Sequence, residues 1–340
     1  MTGNANRCGQ PKGSAHVTLH RGTTGAAKLV RVRAPARLHL GFLDMNGALG
    51  RKFGSIGLAV DRPATRVTVS RAASNSASGA ESARALQLIQ MFRRGRDASY
   101  AVEVEEAIPA HAGLGSGTQL ALAIGTAIAR LEGRELGPQD LAGIGNRGAR
   151  SGIGLAAFAG GGFLVDGGRG VRDKAPPLTL RADFPEDWRV LLIFDTKRAG
   201  VSGDAEAKAF AALPEFPESA AAHICHLVLM KLVPGLKESD IAAFGDSITE
   251  IQEIVGGHFA AKQGGSAWTS PAVGRIAGRM RDMGATGIGQ SSWGPTGFAF
   301  VDGDEAAVRH YHSLVEEAKD VGVEIVIARG RNTGARVEPA

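Results

Sequence analysis

The chain has 340 residues, 44 % hydrophobic and 21 % charged, with 48 glycines and two cysteines; that length supports a sizeable core and two domains, and so few cysteines exclude a disulfide scaffold. The net charge of +5, from 39 basic and 34 acidic side chains, is dispersed rather than gathered with aromatic residues into a basic stripe, so no nucleic-acid partner is expected. No run of about 18 apolar residues is evident, so no membrane partner is expected either.

Residues 1–27 are rich in Gly, Thr, Ser and Asn and read as a disordered tail without an apolar signal core. Residues 29–33 alternate apolar and basic side chains as a half-buried strand does. Ala34, Pro35 and Ala36 interrupt the pattern. It resumes over 37–42, with Leu38, Leu40 and Phe42 on one face and Arg37 and His39 on the other. Strands are expected at 55–60 and 66–70, a polar loop at 71–81, a helix over 82–94 and a strand over 100–104. A glycine-rich turn at 113–117 opens a long Ala/Leu/Ile helix. A further helix is expected over 141–146, followed by a second glycine cluster at 148–162 and a strand at 163–166. Pro176 and Pro177 mark a domain boundary. Beyond it the pattern gives a strand at 189–194, helices at 204–213, 218–232, 239–254 and 270–283, a strand at 297–301, a helix at 304–320 and a strand at 323–328. The domains are therefore expected at 28–177 and 178–330, with a tail at 331–340.

The turn at 113–117 carries the chemistry. A helix start has free N–H groups and a positive dipole end, so a glycine-rich turn there is a ready anion site. It is neither the G-x-x-x-x-G-K-[ST] phosphate loop nor the G-x-G-x-x-G dinucleotide fingerprint. Instead, P-x-x-x-G-L-G-S-G at 109–117 resembles the second motif of the GHMP kinase superfamily. A-P-A-R-L-H-L-G at 34–41 resembles the first motif, and G-I-G-Q-S-S-W-G-P-T-G at 287–297 stands where the third belongs. The resemblance implies an α+β class, two-domain GHMP-kinase-like fold, with an N-terminal mixed α/β domain and a C-terminal ferredoxin-like α+β domain. Kinases of the group that use a catalytic base carry aspartate in S-G-x-D. The matching segment here is Ser151-Gly152-Ile153-Gly154, and glycine cannot accept a proton.

The blocks R-L-H-L-G-F-L-D at 37–44, G-R-K-F-G-S-I-G-L-A at 50–59, R-G-A-R-S-G-I-G at 147–154 and G-Q-S-S-W-G-P-T at 289–296 resemble the β-ribofuranosylaminobenzene 5′-phosphate synthase family. That resemblance implies a cytoplasmic pentosyltransferase of tetrahydromethanopterin biosynthesis, expected as a homodimer. Its substrates would be phosphoribosyl pyrophosphate and 4-aminobenzoate or 4-hydroxybenzoate. Its products would be a C-riboside 5′-phosphate, carbon dioxide and pyrophosphate. Gly113, Leu114, Gly115, Ser116, Gly117 and Thr118 would hold the pyrophosphate, with Mg2+ bridging at Ser116. Arg37, Lys52, Arg150 and their neighbour Arg147 suit the 5′-phosphate or the carboxylate. Asp44 and Arg51 are the candidate catalytic residues, although Asp44 equally suits an Asx turn before Asn46. His39, His111, Gln290, Ser291, Ser292 and Trp293 are candidate substrate contacts, and His39 and Trp293 equally suit packing roles. His223, Cys225 and His226 on one helix do not make a zinc site. An ATP-dependent small-molecule kinase and a non-catalytic sugar-phosphate sensor are the alternatives on the same fold.

Overall fold

The computed structural model describes residues 28–340 except 94, 96, 149, 171–174, 199, 201–207 and 210. The expected tail at 1–27 and most of the expected helix at 204–213 lie outside the described residues. The N-terminal sheet is built on two long strands, β1 (Leu29–Asp44) and β2 (Phe53–Ala72), paired antiparallel. Strands β3 (Ser76–Gly79) and β4 (Ser99–Glu106) extend one side, and β5 (Phe163–Asp166) and β6 (Leu178–Ala182) branch from β2. Three helices follow the glycine turn or precede it: α1 (Ser82–Arg93), α2 (Ser116–Leu131) and α3 (Pro138–Ile144). Their apolar faces pack on Val30, Val32, Val67, Val69, Val102 and Val104, the inward positions of strands that alternate in and out. A fourth helix, α4 (Ile153–Gly160), sets Ile153 and Ala157 against Ala59 and Leu164.

The C-terminal sheet contains β7 (Trp188–Asp195), β8 (Thr286–Gln290), β9 (Gly297–Asp302) and β10 (Val323–Arg329), in the order β10-β7-β9-β8 with every pairing antiparallel. Between β7 and β8 the chain forms α5 (Glu218–Glu238, with a π-helical turn at Val228–Leu232), α6 (Ile241–Ala260) and α7 (Pro271–Asp282). Helix α8 (Gly303–Asp320) crosses from β9 to β10. This is the split βαβ order of a ferredoxin-like sheet, as the sequence resemblance implied. Adjacent β7 residues point to opposite faces. Leu191 and Ile193 pack with α7 and α8, while Val190 and Leu192 join a core shared with Leu38 and Leu40 of β1 and with Phe244 and Ile248 of α6. That shared core fixes the two domains on each other.

Several sequence expectations need correction. The end of the chain is not a tail, because β11 (Arg336–Pro339) pairs with β1 as the edge of the N-terminal sheet. The boundary at 177/178 moves as well, since β6 pairs with β5 and belongs to the N-terminal sheet. Ala34, Pro35 and Ala36 do not break β1; a register shift between Pro35 and Ala36 absorbs them. The polar segment at 71–81 contains β3, held by backbone pairing to β4, which needs no apolar side chains. The second glycine cluster contains α4, and the third motif begins as strand β8. Helix α5 is long and apolar enough to cross a membrane by length and composition, contrary to expectation, with 33 % of its apolar window buried.

Candidate active site

The three glycine-rich segments meet at one point. Gly113 has φ +79, and a Cβ there would stand 2.2 Å from the Ser291 carbonyl oxygen; one at Gly294 would stand 2.4 Å from the Ala112 carbonyl carbon. Only glycine allows the first turn and the third loop to touch in this way. The Ser291 hydroxyl donates to the Gly113 carbonyl at 2.7 Å and accepts from the His39 backbone N–H at 3.0 Å. One buried hydroxyl thus ties all three motifs together. Gly115 (φ 81) precedes α2, whose start carries no side-chain cap. Of this first turn, Thr118 lines a cleft, and its N–H donates to the Gly115 carbonyl at 3.0 Å.

Two guanidinium groups bracket this helix start. A Cβ on Gly115 would lie 3.2 Å from Arg37 Cγ, and one on Gly117 would lie 3.5 Å from Arg147 Cζ. Arg37 Nη1 also donates to the Gly113 carbonyl at 2.5 Å. Arg37, Arg147 and Arg150 line a cleft of about 260 Å³ with Thr118, Ser151 and Ser292. No carboxylate lines it among the described residues. Arg147 Nε is buried without a hydrogen-bond partner, and burial, then the Arg84 charge, lowers its pKa. Several guanidinium groups in a lining without carboxylates suit a polyanion. Gly154 borders the cleft beside Thr118, and its carbonyl accepts from the buried Gln119 amide at 2.8 Å.

An apolar slot adjoins the cleft, formed by Phe42, Val255 and Phe259, with Gln252 and Gln290 at its polar edge. His39 and Ser292 line both spaces. Phe42 reaches the His39 side because β1 bulges between His39 and Gly41, which breaks the alternation expected from the sequence. The two rings stand 4.5 Å apart between centroids. His39 is 3 % exposed, and burial, then the Arg37 charge, lowers its pKa from 6.5 to about 3, so it is a neutral imidazole. Gln290 accepts from Thr269 N at 2.7 Å and donates to the Ser292 carbonyl at 3.2 Å, which shapes the third loop. Trp293 is buried and packs on Phe259 at 4.9 Å, as the packing alternative had it.

Other expected site residues sit outside the cleft lining. Asp44 accepts from Asn46 N at 2.7 Å and Gly47 N at 2.9 Å, forming the Asx turn that ends β1. Arg51 is exposed and donates to the carbonyls of Gly167 and Gly168 at 2.7 and 2.8 Å. Lys52 bridges to Arg169 through the backbone, and its ammonium lies 6.0 Å from the Phe53 ring. Phe53 in turn stands 6.0 Å from Phe42, so this hairpin approaches the site from its outer side. His111 is exposed, with φ 57, and its carbonyl accepts from Gly200 N. Leu114 is buried, and its carbonyl accepts from Arg37 N at 3.2 Å.

Sequence reasoning missed Asp166. This buried carboxylate accepts from Gly152 N and Gly168 N, both at 2.9 Å, and from the Ser151 hydroxyl at 3.3 Å. It holds the loop that carries Arg150 and Gly154 against the cleft. Burial raises its pKa against the opposing pull of those donors. The signal was present as a lone acid closing an apolar strand before two glycines. Gln252, which donates to the Leu40 carbonyl and accepts from Gln290 N, both at 2.8 Å, was also missed. It lies on α6, well away from every motif, and nothing local marks it.

The residues present do not fit a magnesium site made by the protein alone. No cluster of three metal-ligating side chains occurs among the described residues, and the cleft offers hydroxyls and guanidinium groups without a carboxylate. A larger cavity of about 640 Å³ lies behind the glycine turn, between Pro109 and Pro295. Its arginines share it with Glu106, Asp195 and Glu324, so its lining, unlike the cleft's, mixes acid with base.

Comparison with known proteins agrees with this geometry. Residues 82–162 match the GHMP kinase N-terminal domain and residues 232–320 the GHMP kinase C-terminal domain. Homoserine kinase from Cytophaga hutchinsonii superposes with a TM-score of 0.64 at 18 % identity, covering 94 % of this chain and 100 % of its own. Mevalonate diphosphate decarboxylase from Staphylococcus aureus gives 0.63 at 17 % identity, covering 92 % and 98 %. These two establish the fold. The β-ribofuranosylphenol 5′-phosphate synthase of Methanothermobacter thermautotrophicus is 33 % identical over 89 % of this chain and 97 % of its own. That of Archaeoglobus fulgidus is 32 % identical over 91 % and 100 %. With these identities over nearly its whole length, the chain belongs to the β-ribofuranosylphenol 5′-phosphate synthase family, on the GHMP kinase fold.

Proposed function

We propose that this enzyme transfers the phosphoribosyl group of phosphoribosyl pyrophosphate to the ring carbon of 4-hydroxybenzoate or 4-aminobenzoate that bears the carboxylate, releasing pyrophosphate and carbon dioxide, as a step of tetrahydromethanopterin biosynthesis. The observation that carries this reading is the carboxylate-free cleft of Arg37, Arg147 and Arg150 at the uncapped start of α2, with Gly154 where a kinase base would stand. The relatives' name specifies a ribofuranosylphenol, the type of product that a 4-hydroxybenzoate acceptor gives after losing its carboxylate. We place the enzyme in the cytoplasm as a homodimer.

The chemistry follows from the charge distribution. When the bond from C1 to the pyrophosphate oxygen breaks, its electron pair leaves with the pyrophosphate. The backbone of 113–117, Ser116, Thr118 and the bracketing Arg37 and Arg147 stabilise that developing charge. The ribose C1 becomes electron-poor, and the substituted ring carbon attacks it through the ring's π electrons. The bond to the carboxylate then breaks, and its electron pair restores the aromatic ring. A preorganised anion site serves this sequence better than a strong base at position 154 would. Were the donor to carry magnesium on its pyrophosphate, the Ser116 hydroxyl would be the protein group to meet it. Arg150, with Lys52 and Arg51 on the hairpin, is assigned to the 5′-phosphate and the carboxylate. Asp44 and Arg51 are assigned catalytic roles at the outer side of the site.

The test is incubation with phosphoribosyl pyrophosphate, magnesium and carboxyl-labelled 4-hydroxybenzoate or 4-aminobenzoate. Labelled carbon dioxide and equimolar pyrophosphate are expected. No labelled gas from either acid overturns the assignment.

A further inference from the structure

His39 is a buried polar side chain at this site that the reaction has not yet used. It is 3 % exposed, and its Nε2 has no hydrogen-bond partner. Buried polar atoms left in this way are uncommon and cost stability, so a native protein that keeps one at a site keeps it for something. The ring lines both the arginine cleft and the apolar slot of Phe42, Val255 and Phe259. Its position is fixed from two sides. The backbone N–H of His39 is held by the Ser291 hydroxyl at 3.0 Å, and the ring packs on Phe42 at 4.5 Å. Charge at the anionic end of the acceptor belongs with the guanidinium groups, and its benzene ring suits the Phe42 and His39 wall of the 260 Å³ cleft, since the slot beyond, at about 20 Å³, is too small for a ring. The one polar atom left over on the acceptor is then its para substituent.

We propose that His39 is a catalytic residue that accepts the hydrogen bond of the acceptor's para hydroxyl and takes its proton as the carbon–carbon bond forms. This rests on the synthase reading above. The balance is as follows. The ring π electrons form the bond to ribose C1 while the C1–O bond breaks towards pyrophosphate. The positive charge that would appear on the para oxygen is cancelled because the O–H proton passes to His39, leaving a cyclohexadienone that still bears the carboxylate. The C–CO2 bond breaks, its pair restores the ring as a phenolate, and the proton returns from His39 to that oxygen. No oxidant or further reactant is needed.

Neutrality of the buried His39 imidazole is what this role requires. So weak a base leaves a resting phenol intact. The para hydroxyl becomes a strong acid only as the ring gives up its electrons, so the interaction strengthens in the transition state and not before. A side chain that merely filled space would show no such dependence on the acceptor's hydroxyl.

The experiment compares the native enzyme with His39→Gln, using 4-hydroxybenzoate and 3,5-difluoro-4-hydroxybenzoate, whose hydroxyl is already ionised near neutral pH. With 4-hydroxybenzoate, kcat of His39→Gln is expected to fall about 100-fold, the lower end for loss of a proton acceptor, with the KM for phosphoribosyl pyrophosphate unchanged. With the difluoro acid the gap between native and variant is expected to narrow at least about tenfold, because no proton has to be removed. An equal gap with both acids overturns the proposal and leaves a structural role. The native enzyme supplies a second reading that survives any folding defect of the variant. 4-Methoxybenzoate, which has no proton to give, is expected to compete with 4-hydroxybenzoate without releasing carbon dioxide, and turnover at a comparable kcat overturns the proposal. If the native enzyme decarboxylates 4-aminobenzoate alone, this inference fails while the synthase reading stands. If it decarboxylates neither acid, the synthase reading itself has failed.

Discussion

Ser291 donates its hydroxyl to the carbonyl of Gly113 at 2.7 Å across 178 residues of sequence, and the same oxygen accepts the backbone N–H of His39. Ser291 and His39 are buried, so the His39 N–H has no water to turn to when the hydroxyl is removed, whereas the Gly113 carbonyl keeps its bond from Arg37 Nη1. Ser291→Ala is expected to destabilise the fold by about 1–3 kcal/mol, from one buried backbone N–H left unsatisfied. It should also raise the KM for phosphoribosyl pyrophosphate, because the glycine turn loses its anchor. Urea denaturation and steady-state kinetics check the two parts separately. A variant as stable as the native enzyme contradicts the first.

Arg147 is expected to trade stability for binding. Its guanidinium is partly buried against the start of α2, with its pKa lowered by burial and by Arg84. Arg147→Met keeps the apolar stem and removes the charge. The variant is expected to melt at or above the native temperature. Its affinity for phosphoribosyl pyrophosphate should fall about 10- to 100-fold, the value of one or two charge-assisted hydrogen bonds. Calorimetric titration and a thermal melt measure both, and a variant that binds normally removes Arg147 from the anion site.

Gly154 carries the choice between transferase and kinase. A Cβ there would lie 3.2 Å from Thr118 Cγ2, so a larger side chain enters only if Thr118 shifts. An aspartate would also place a negative charge among Arg37, Arg147 and Arg150, where it competes with the substrate. Gly154→Asp is therefore expected to weaken phosphoribosyl pyrophosphate binding at least about tenfold, a loss of about 1.4 kcal/mol. It should not create ATP-dependent phosphate transfer to small alcohols. Phosphate transfer by this variant would revive the kinase reading.

The asymmetry between what was legible and what was not has a physical origin. Glycine turns are dictated locally, because Gly113 and Gly115 take backbone angles that other residues rarely adopt, so the motifs could be read from sequence. The ferredoxin-like order was implied by the family resemblance and not by the pattern of strands and helices, in which β8 is hidden within the glycine-rich third motif. Long-range backbone pairing left no such trace. β3 and β11 are polar strands that exist because a sheet edge accepts them. The bulge that turns Phe42 towards His39 inserts one residue into an otherwise regular pattern, and alternation alone cannot announce it. Asp166 and Gln252 reach the site through hydrogen bonds to backbone atoms of other elements, which side-chain type does not encode.

Asp44 and Arg51 test whether the hairpin outside the cleft takes part in the reaction. The Asx turn needs only one oxygen, since Oδ1 of Asp44 accepts from both Asn46 N and Gly47 N. Asp44→Asn preserves that geometry and removes the charge, so an unchanged melting temperature with at least about a tenfold lower kcat is expected if the carboxylate acts in catalysis. Normal activity assigns Asp44 to the turn alone. Arg51→Gln is expected to raise the KM for phosphoribosyl pyrophosphate, and an unchanged KM removes Arg51 from phosphate binding.

His39 also makes a prediction that needs no substrate. In the fold its pKa is lowered to about 3, against an ordinary value of 6.5. Above pH 6.5 the imidazole is neutral in both states, and the fold bears no penalty. As the pH falls below 6.5 the unfolded chain takes up a proton that the native protein refuses, so stability contributed at neutral pH is progressively lost towards pH 3. The slope for one such group is about 1.4 kcal/mol per pH unit. Other groups titrate in the same range, so the comparison must be with His39→Phe, which keeps an aromatic ring on Phe42 and removes the titration. Urea denaturation of both proteins at pH 7.5, 6 and 5 should give a stability difference that moves in favour of the variant as the pH falls. A difference that stays constant over this range means that the imidazole is not desolvated in the native protein, and the proton-acceptor role loses its neutral histidine.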